Sequence, residues 1–215
     1  MNWKVLGLAL AMQIAAAFGA HACDLQTGSV VFQDKFTDDS GGWDFTPPVN
    51  QVKPPDFLFT LTSSSYFTAV ENLTFNSTFG DYCMDFVLPK SIAADNNVSA
   101  GMIVLAADYN NYYLILTFSN GNVTMFKKTS GTYTTIFTIT NSPAYNSAPD
   151  AVNSIRVVAT NDQKLTITLN SKPLKVIRVQ TPPGALTFGI FAQCDKAPPT
   201  DTLVRIKEFS VTSGG

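Results

Sequence analysis

The sequence is poor in the residues that most enzymes need. It has one histidine, two glutamates, three cysteines and only 14% charged residues. The single histidine, His21, falls in a leader segment. The rest of the chain therefore offers no imidazole for a Ser-His-Asp triad, a Cys-His pair or a histidine-ligated zinc. The glutamates, Glu71 and Glu208, have no Glu or Asp two residues away. Neither can belong to a strand that alternates two carboxylates onto one face, as a glutamate-bearing glycosidase strand does. Basic residues form no run, and the sequence pI is near 5.2. A phosphate-binding surface needs clustered Lys and Arg, so nucleic acid is not an expected partner.

What is present begins with an export signal. The opening segment MNWKVLGLALAMQIAAAFGAHA joins one lysine, an apolar run from Val5 to Phe18 and an A-x-A site at Ala20-His21-Ala22. That pattern reads as a secretory signal peptide over residues 1–22. Nothing later matches the run of about 20 apolar residues that a membrane helix requires. Residues 23–215 are then expected to form one exported domain, periplasmic or secreted. Cys23 follows the cleavage site directly and would suit lipoprotein processing, but His21 and Ala20 replace the small residue and leucine of a lipobox. An odd cysteine count in an oxidising compartment predicts one disulfide and one leftover thiol.

Helical periodicity is absent after Cys23. Short runs rich in Val, Ile, Thr, Phe and Tyr recur about every ten residues between Gly, Pro, Asn and Asp. They predict strands near 29–36, 57–62, 65–71, 81–88, 98–107, 111–118, 121–128, 133–139, 153–160, 163–169, 173–179, 186–193 and 203–212. SNGN, TNDQ and NSKP mark hairpin turns. The expected fold is all-β, a two-sheet antiparallel jelly-roll sandwich.

Candidate sites lie where alternation points away from the core. In DYNNYYLILTF, Tyr112, Leu114, Leu116 and Phe118 are assigned to the core. Tyr113 is then left on the opposite face, with Tyr109 and Asn111 at the preceding turn. Trp43 is a candidate stacking platform for a sugar ring, with ordinary burial as the alternative. Arg156, out of phase with Ile155 and Val157, could bind a hydroxyl or carboxylate, or could be a solvated strand residue. Asp34, Asp38 and Asp39 in QDKFTDDSGG are candidate calcium ligands, or ordinary turn residues. Four N-x-S/T sequons, at Asn72, Asn76, Asn97 and Asn122, fit a polar β surface. Tyr82, Met84, Phe86 and Leu88 share one face, so Cys83 points outward and needs a partner crossing that outer surface. Cys23 on the flexible N-terminal arm is preferred, with Cys83–Cys194 as the alternative.

The order of motifs also carries a resemblance. VFQDKFTDDSGGWDF, GDYCMDFVLP, GMIVLAADYNNYYLILTFSNGNVTMFKK, VNSIRVVATNDQKLTITLNSKPL and GALTFGIFAQCD with VRIKEFSVT follow one another along nearly the whole mature chain. This succession resembles the bacterial concanavalin A-like lectin/glucanase sandwiches, especially laminin G-like proteins and the 3-keto-disaccharide hydrolase (DUF1080) group. The resemblance implies a ligand on the concave sheet or its rim, a carbohydrate or glycoconjugate as partner, and a rim calcium in some members. The glucanase E-x-D-x-(x)-E strand has no counterpart here. The leading expectation is a non-catalytic carbohydrate-binding or surface-interaction protein. A glycoside-processing enzyme and a structural envelope or matrix protein are the alternatives.

Overall fold

A computed structural model of the chain describes residues 22–44, 46–62, 66–70, 79–89, 97–182, 186–198 and 201–213, with the backbone alone for 66–70. Glu71 and the sequons at Asn72 and Asn76 lie outside the described residues. A 3-10 turn, Ala22–Leu25, precedes the strands β1 (Val30–Asp34), β2 (Asn50–Lys53), β3 (Asp56–Leu61), β4 (Tyr66–Val70), β5 (Gly80–Val87), β6 (Val98–Asp108) and β7 (Asn111–Phe118). There follow β8 (Val123–Thr129), β9 (Thr132–Ile139), β10 (Asn153–Ala159), β11 (Lys164–Leu169), β12 (Lys172–Arg178), β13 (Thr187–Cys194) and β14 (Thr202–Thr212). Every pairing is antiparallel. One sheet has eight strands in the order β12-β11-β10-β5-β14-β3-β2, with β1 added to β14; the other has six, β4-β13-β6-β7-β8-β9.

The turn chemistry explains the hairpins. Asn170 and Ser171, between β11 and β12, both have positive φ (48° and 63°). That is the twist of a two-residue type I′ turn. Gly121 supplies φ 81° between β7 and β8.

The space between the sheets is filled by alternate residues of both. Tyr82, Met84 and Phe86 of β5, Ile155 and Val157 of β10, and Leu165, Ile167 and Leu169 of β11 meet Met102, Val104, Tyr113, Ile115, Met125, Phe188 and Ile190 of the six-stranded sheet. Trp43 belongs to this core and is 5% exposed. Its ring lies 5.6 Å from those of Phe32 and Phe209 and 5.9 Å from Phe36, in edge and tilted arrangements. Its indole N–H donates to Asp34 Oδ2 at 2.7 Å. Gly41 makes that bond possible, because a Cβ there would stand 1.9 Å from the same carboxylate oxygen.

The outer face of the eight-stranded sheet is covered in part by the N-terminal arm. Cys23 is bonded to Cys83, with Cα atoms 5.4 Å apart. Gln26 donates to Asp81 O at 2.6 Å and accepts from Ser210 Oγ at 2.6 Å. Beneath the arm, Asp81 is 1% exposed and takes Arg156 Nε at 2.8 Å and Nη2 at 2.6 Å.

Burial also sets an alkaline limit on stability. Desolvation raises the phenols of Tyr82, Tyr113 and Tyr145 above their ordinary value of 10.0. A group held neutral in the folded state contributes stability that is full below its unfolded value and lost as pH rises past it. Unfolding above about pH 10 is therefore expected, with tyrosinate absorbance and loss of the β-sheet circular dichroism rising together. Tyrosinate absorbance that reached its full amplitude while the sheet signal persisted would contradict this.

Candidate functional site

The six-stranded sheet has a second apolar face. β7 is buried along nearly its whole length, on both sides. Tyr113 and Ile115 enter the core between the sheets, whereas Tyr112, Leu114 and Leu116 form a separate cluster outside it with Ile103, Ala106 and Phe191, flanked by Phe118 and Phe126. The phase expected from the sequence is thus reversed. Alternation separates two faces but cannot say which is inward when both are apolar.

Cross-strand register arranges this face in rows. Thr187 pairs with Ala106, and beyond the irregular end of β6 Tyr112 pairs with Lys128 and Lys128 with Tyr133. The next row runs Ile103, Leu114, Phe126, Thr135, and the following one Phe191, Gly101, Leu116, Thr124. Gly101 is where β6 and β7 come too close for a side chain: a Cβ would lie 2.1 Å from Ile115 O. Leu114, Leu116, Phe126, Tyr133, Phe191 and Gln193 line a cavity of about 180 Å³. A smaller one of about 60 Å³ is lined by Ile103, Ala106, Asp108, Tyr109, Tyr112 and Thr187.

Aromatic and polar groups stand on this apolar floor. The hydroxyls of Tyr112 and Tyr133 are hydrogen-bonded at 2.5 Å, and Tyr133 is 38% exposed. Lys128 Nζ sits 5.1 Å from the centres of both rings. Tyr109 is 56% exposed and donates to Asp44 Oδ2 at 3.0 Å, and its phenol is raised by desolvation and by Asp44. Asp108 beside it is held below the usual carboxylate range by hydrogen bonds from Asn111 and the Asn110 amide, with a smaller contribution from Lys128. Such a surface can stack a flat apolar ring face and hydrogen-bond the groups around its edge.

Of the residues singled out from the sequence, Tyr109 lies on this site and Asn111 at its end. Asn111 is committed to local structure: its amide donates to both Asp108 oxygens at 2.9 Å and accepts from Ser130 N at 3.1 Å, tying two turns together. Tyr113 is 2% exposed, its hydroxyl donating to Gln180 O at 2.8 Å. Trp43 presents no free face, being packed among phenylalanines. Arg156 belongs to the opposite sheet, under the N-terminal arm. Trp43 and Tyr113 are therefore internal residues, whereas Arg156 points away from the core, as its phase predicts, with the Asp81 carboxylate as its partner. Tyr112, Phe126, Lys128, Tyr133 and Phe191 are not singled out by local sequence, because only the register across β13, β6, β7, β8 and β9 brings them together.

The proposed calcium ligands do not converge. Both Asp34 oxygens accept N–H groups, from Phe36 at 2.6 Å and Trp43. Asp38 accepts from Ser40 N at 2.9 Å, and the hydrogen bonds from Ser40 hold its carboxyl below the usual carboxylate range. Asp38 and Asp39 are exposed turn residues. Among the described residues, three potential ligands lie within 4.8 Å of one another only at Cys23, Cys83 and Asp85. Those two sulfurs are bonded to each other, so that cluster is not a metal site.

Solved structures share this two-sheet jelly-roll sandwich architecture. A carbohydrate-binding module of Bacillus subtilis superposes with TM-score 0.60 at 14% identity, over 80% of this chain and 96% of its own. A Bacillus licheniformis β-glucanase gives 0.63 at 12%, over 87% and 100%. The metal-free Emp46p carbohydrate recognition domain gives 0.64 at 8%, over 84% and 95%. At these identities the likeness is one of fold. No family model and no curated protein sequence matches the chain. No helix among the described residues is long and apolar enough to cross a membrane.

Proposed function

We propose that this is an exported, non-catalytic carbohydrate-binding protein whose ligand lies on the outer face of the six-stranded sheet. The observation that carries the reading is the row Tyr112–Lys128–Tyr133, set beside a trough of Leu114, Leu116, Phe126 and Phe191. The jelly-roll neighbours, a carbohydrate-binding module and a lectin domain among them, support the same class of ligand. Tyr109 and Tyr133 supply exposed rings, and Gln193, Lys128 and Asp108 supply hydrogen-bonding groups at the edge. The strand residues paired across this face are aromatic, aliphatic, Thr, Gly and Lys, which suits binding better than acid–base cleavage.

A glycan array on residues 23–215, run with and without calcium, tests the class of ligand. Against the best glycan, Tyr133→Ala and Tyr109→Ala should each weaken binding several-fold, since a stacking contact is worth about 1 kcal/mol. Their melting temperatures should stay close to that of the unaltered protein, whereas Tyr113→Ala should melt lower because its ring fills the core. Retained affinity in both exposed variants would move the site elsewhere. Turnover of glycosides or 3-keto sugars would transfer the reading to a glycoside-processing enzyme.

A further inference from the structure

Several of the chain's cations are held against acids. Lys35, Arg156, Lys164, Arg205 and Lys207 each meet a carboxylate within ion-pair distance. Lys127 and Lys128, near the end of β8, have no such partner among the described residues and lie against aromatic rings instead. Lys128 Nζ stands 5.1 Å from the ring centres of Tyr112 and Tyr133, and Lys127 Nζ stands 5.8 Å from that of Tyr113. Both lysines are half-buried. A ring face holds an ammonium in place without neutralising it. Two fixed positive charges therefore stand close together on one strand.

Adjacent strand residues point to opposite faces of a sheet. Lys128 accordingly leans over the outer groove, while Lys127 leans over Tyr113 on the core side. Both nevertheless line one cavity of about 160 Å³ at the strand ends, together with Asn111, Thr129, Gln180 and Thr181. That lining is polar, whereas the two groove cavities are walled chiefly by aliphatic and aromatic side chains. Its walls are also fixed. The Tyr113 hydroxyl donates to Gln180 O at 2.8 Å and accepts from Gln180 N at 3.1 Å. Asn111 ties the turn at Asp108 to Ser130. Asp108 attracts Lys128, but it is exposed, does not line the cavity, and already accepts from the Asn111 amide and the Asn110 N–H. Two ammonium groups with hydroxyls beside them suit an oxyanion, to which they give charge-assisted hydrogen bonds.

We propose that this cavity holds a carboxylate or sulfate group of the saccharide lying on the outer groove, so that the ligand is an acidic glycan and not a neutral one. This assignment rests on the saccharide reading of the groove, with which the cavity shares Lys128.

The test is the affinity of the exported protein for polygalacturonate and its methyl ester, and for dextran sulfate and dextran, each pair sharing a backbone and differing in charge. Titration calorimetry in about 20 mM salt leaves exposed charges little screened. At least one acidic member should bind about tenfold tighter than its neutral counterpart. The pair that shows the preference tells carboxylate from sulfate. Lys127→Met and Lys128→Met should each lower the preference several-fold, and the double variant should abolish it, with melting temperatures close to that of the unaltered protein. The ratio of the two affinities is the readout, because lost packing on Tyr112 or Tyr113 would weaken both members alike. Lys172→Met combined with Lys175→Met, on β12 of the other sheet, should leave the preference intact. Equal affinity for acidic and neutral members overturns the proposal while leaving the groove a saccharide site. A preference that survives the Lys127 and Lys128 double variant, or that disappears with Lys172 and Lys175, overturns it too. Failure of all four polymers to bind also overturns it, and the glycan array then decides separately whether the groove takes any saccharide.

Discussion

Replacing Cys83 with Ser lowers the unfolding free energy of the oxidised protein by about 4 kcal/mol on the chain-entropy estimate. The bond closes a segment of 60 residues, so its loss frees a large denatured ensemble. It also releases the arm whose Gln26 hydrogen-bonds to Asp81 and Ser210. For a domain of this length the drop corresponds to roughly 10 °C in melting temperature. Reduction of the unaltered protein should reproduce it, and Cys194→Ser should not, because that buried cysteine is not part of the bond. Equal melting temperatures with and without reductant would show that the cross-link contributes nothing. The same bond bears on lipidation: a Cys23 sulfur joined to Cys83 is not available for a lipid thioether.

A second large effect is expected at Arg156. Arg156→Ala removes both guanidinium donors from Asp81 and leaves a carboxylate that is 1% exposed without its cation. Breaking a buried pair in this way costs about 3–5 kcal/mol, whereas replacing both partners by apolar residues of similar size is often neutral. Chemical denaturation of Arg156→Ala, and of Arg156→Met combined with Asp81→Leu, separates the two cases. The single variant should be strongly destabilised and the double variant should recover most of the loss. Glycan affinity of the folded fraction should not change, since the pair lies on the sheet opposite the groove. A single variant as stable as the parent would mean that Asp81 is relieved by solvent.

The strands were legible in the sequence because period-two alternation and turn residues repeat the same message at every hairpin. β2 was not, because NQVK is short and lies between two Pro-Pro pairs. The site was much less legible. Tyr109 could be found, since it follows an Asp in a turn. Alternation assigns Tyr113 outward whereas it lies inside, because YYLIL is apolar on both faces and local sequence carries no sign for which face meets the other sheet. Trp43 and Asp34 read as a sugar platform and a calcium ligand, yet they satisfy each other, and only the bare backbone at Gly41 allows that approach. Tyr133 acquires its place from a register across three strands, β7, β8 and β9, which no single segment encodes.

The position of β14 has a consequence for how the domain comes into being. This last strand does not sit at an edge: it lies between β3 and β5 and also receives β1, so it is the seam along which the eight-stranded sheet closes. Until it emerges, β3 and β5 have no common neighbour, and their unsatisfied edges face one another across a gap. Long-range pairings of this kind are slow, because the chain entropy of a large loop is lost before contacts repay it. A chain emerging during synthesis therefore closes its eight-stranded sheet only once β14 is free to enter between β3 and β5, so the domain folds as one late event rather than strand by strand.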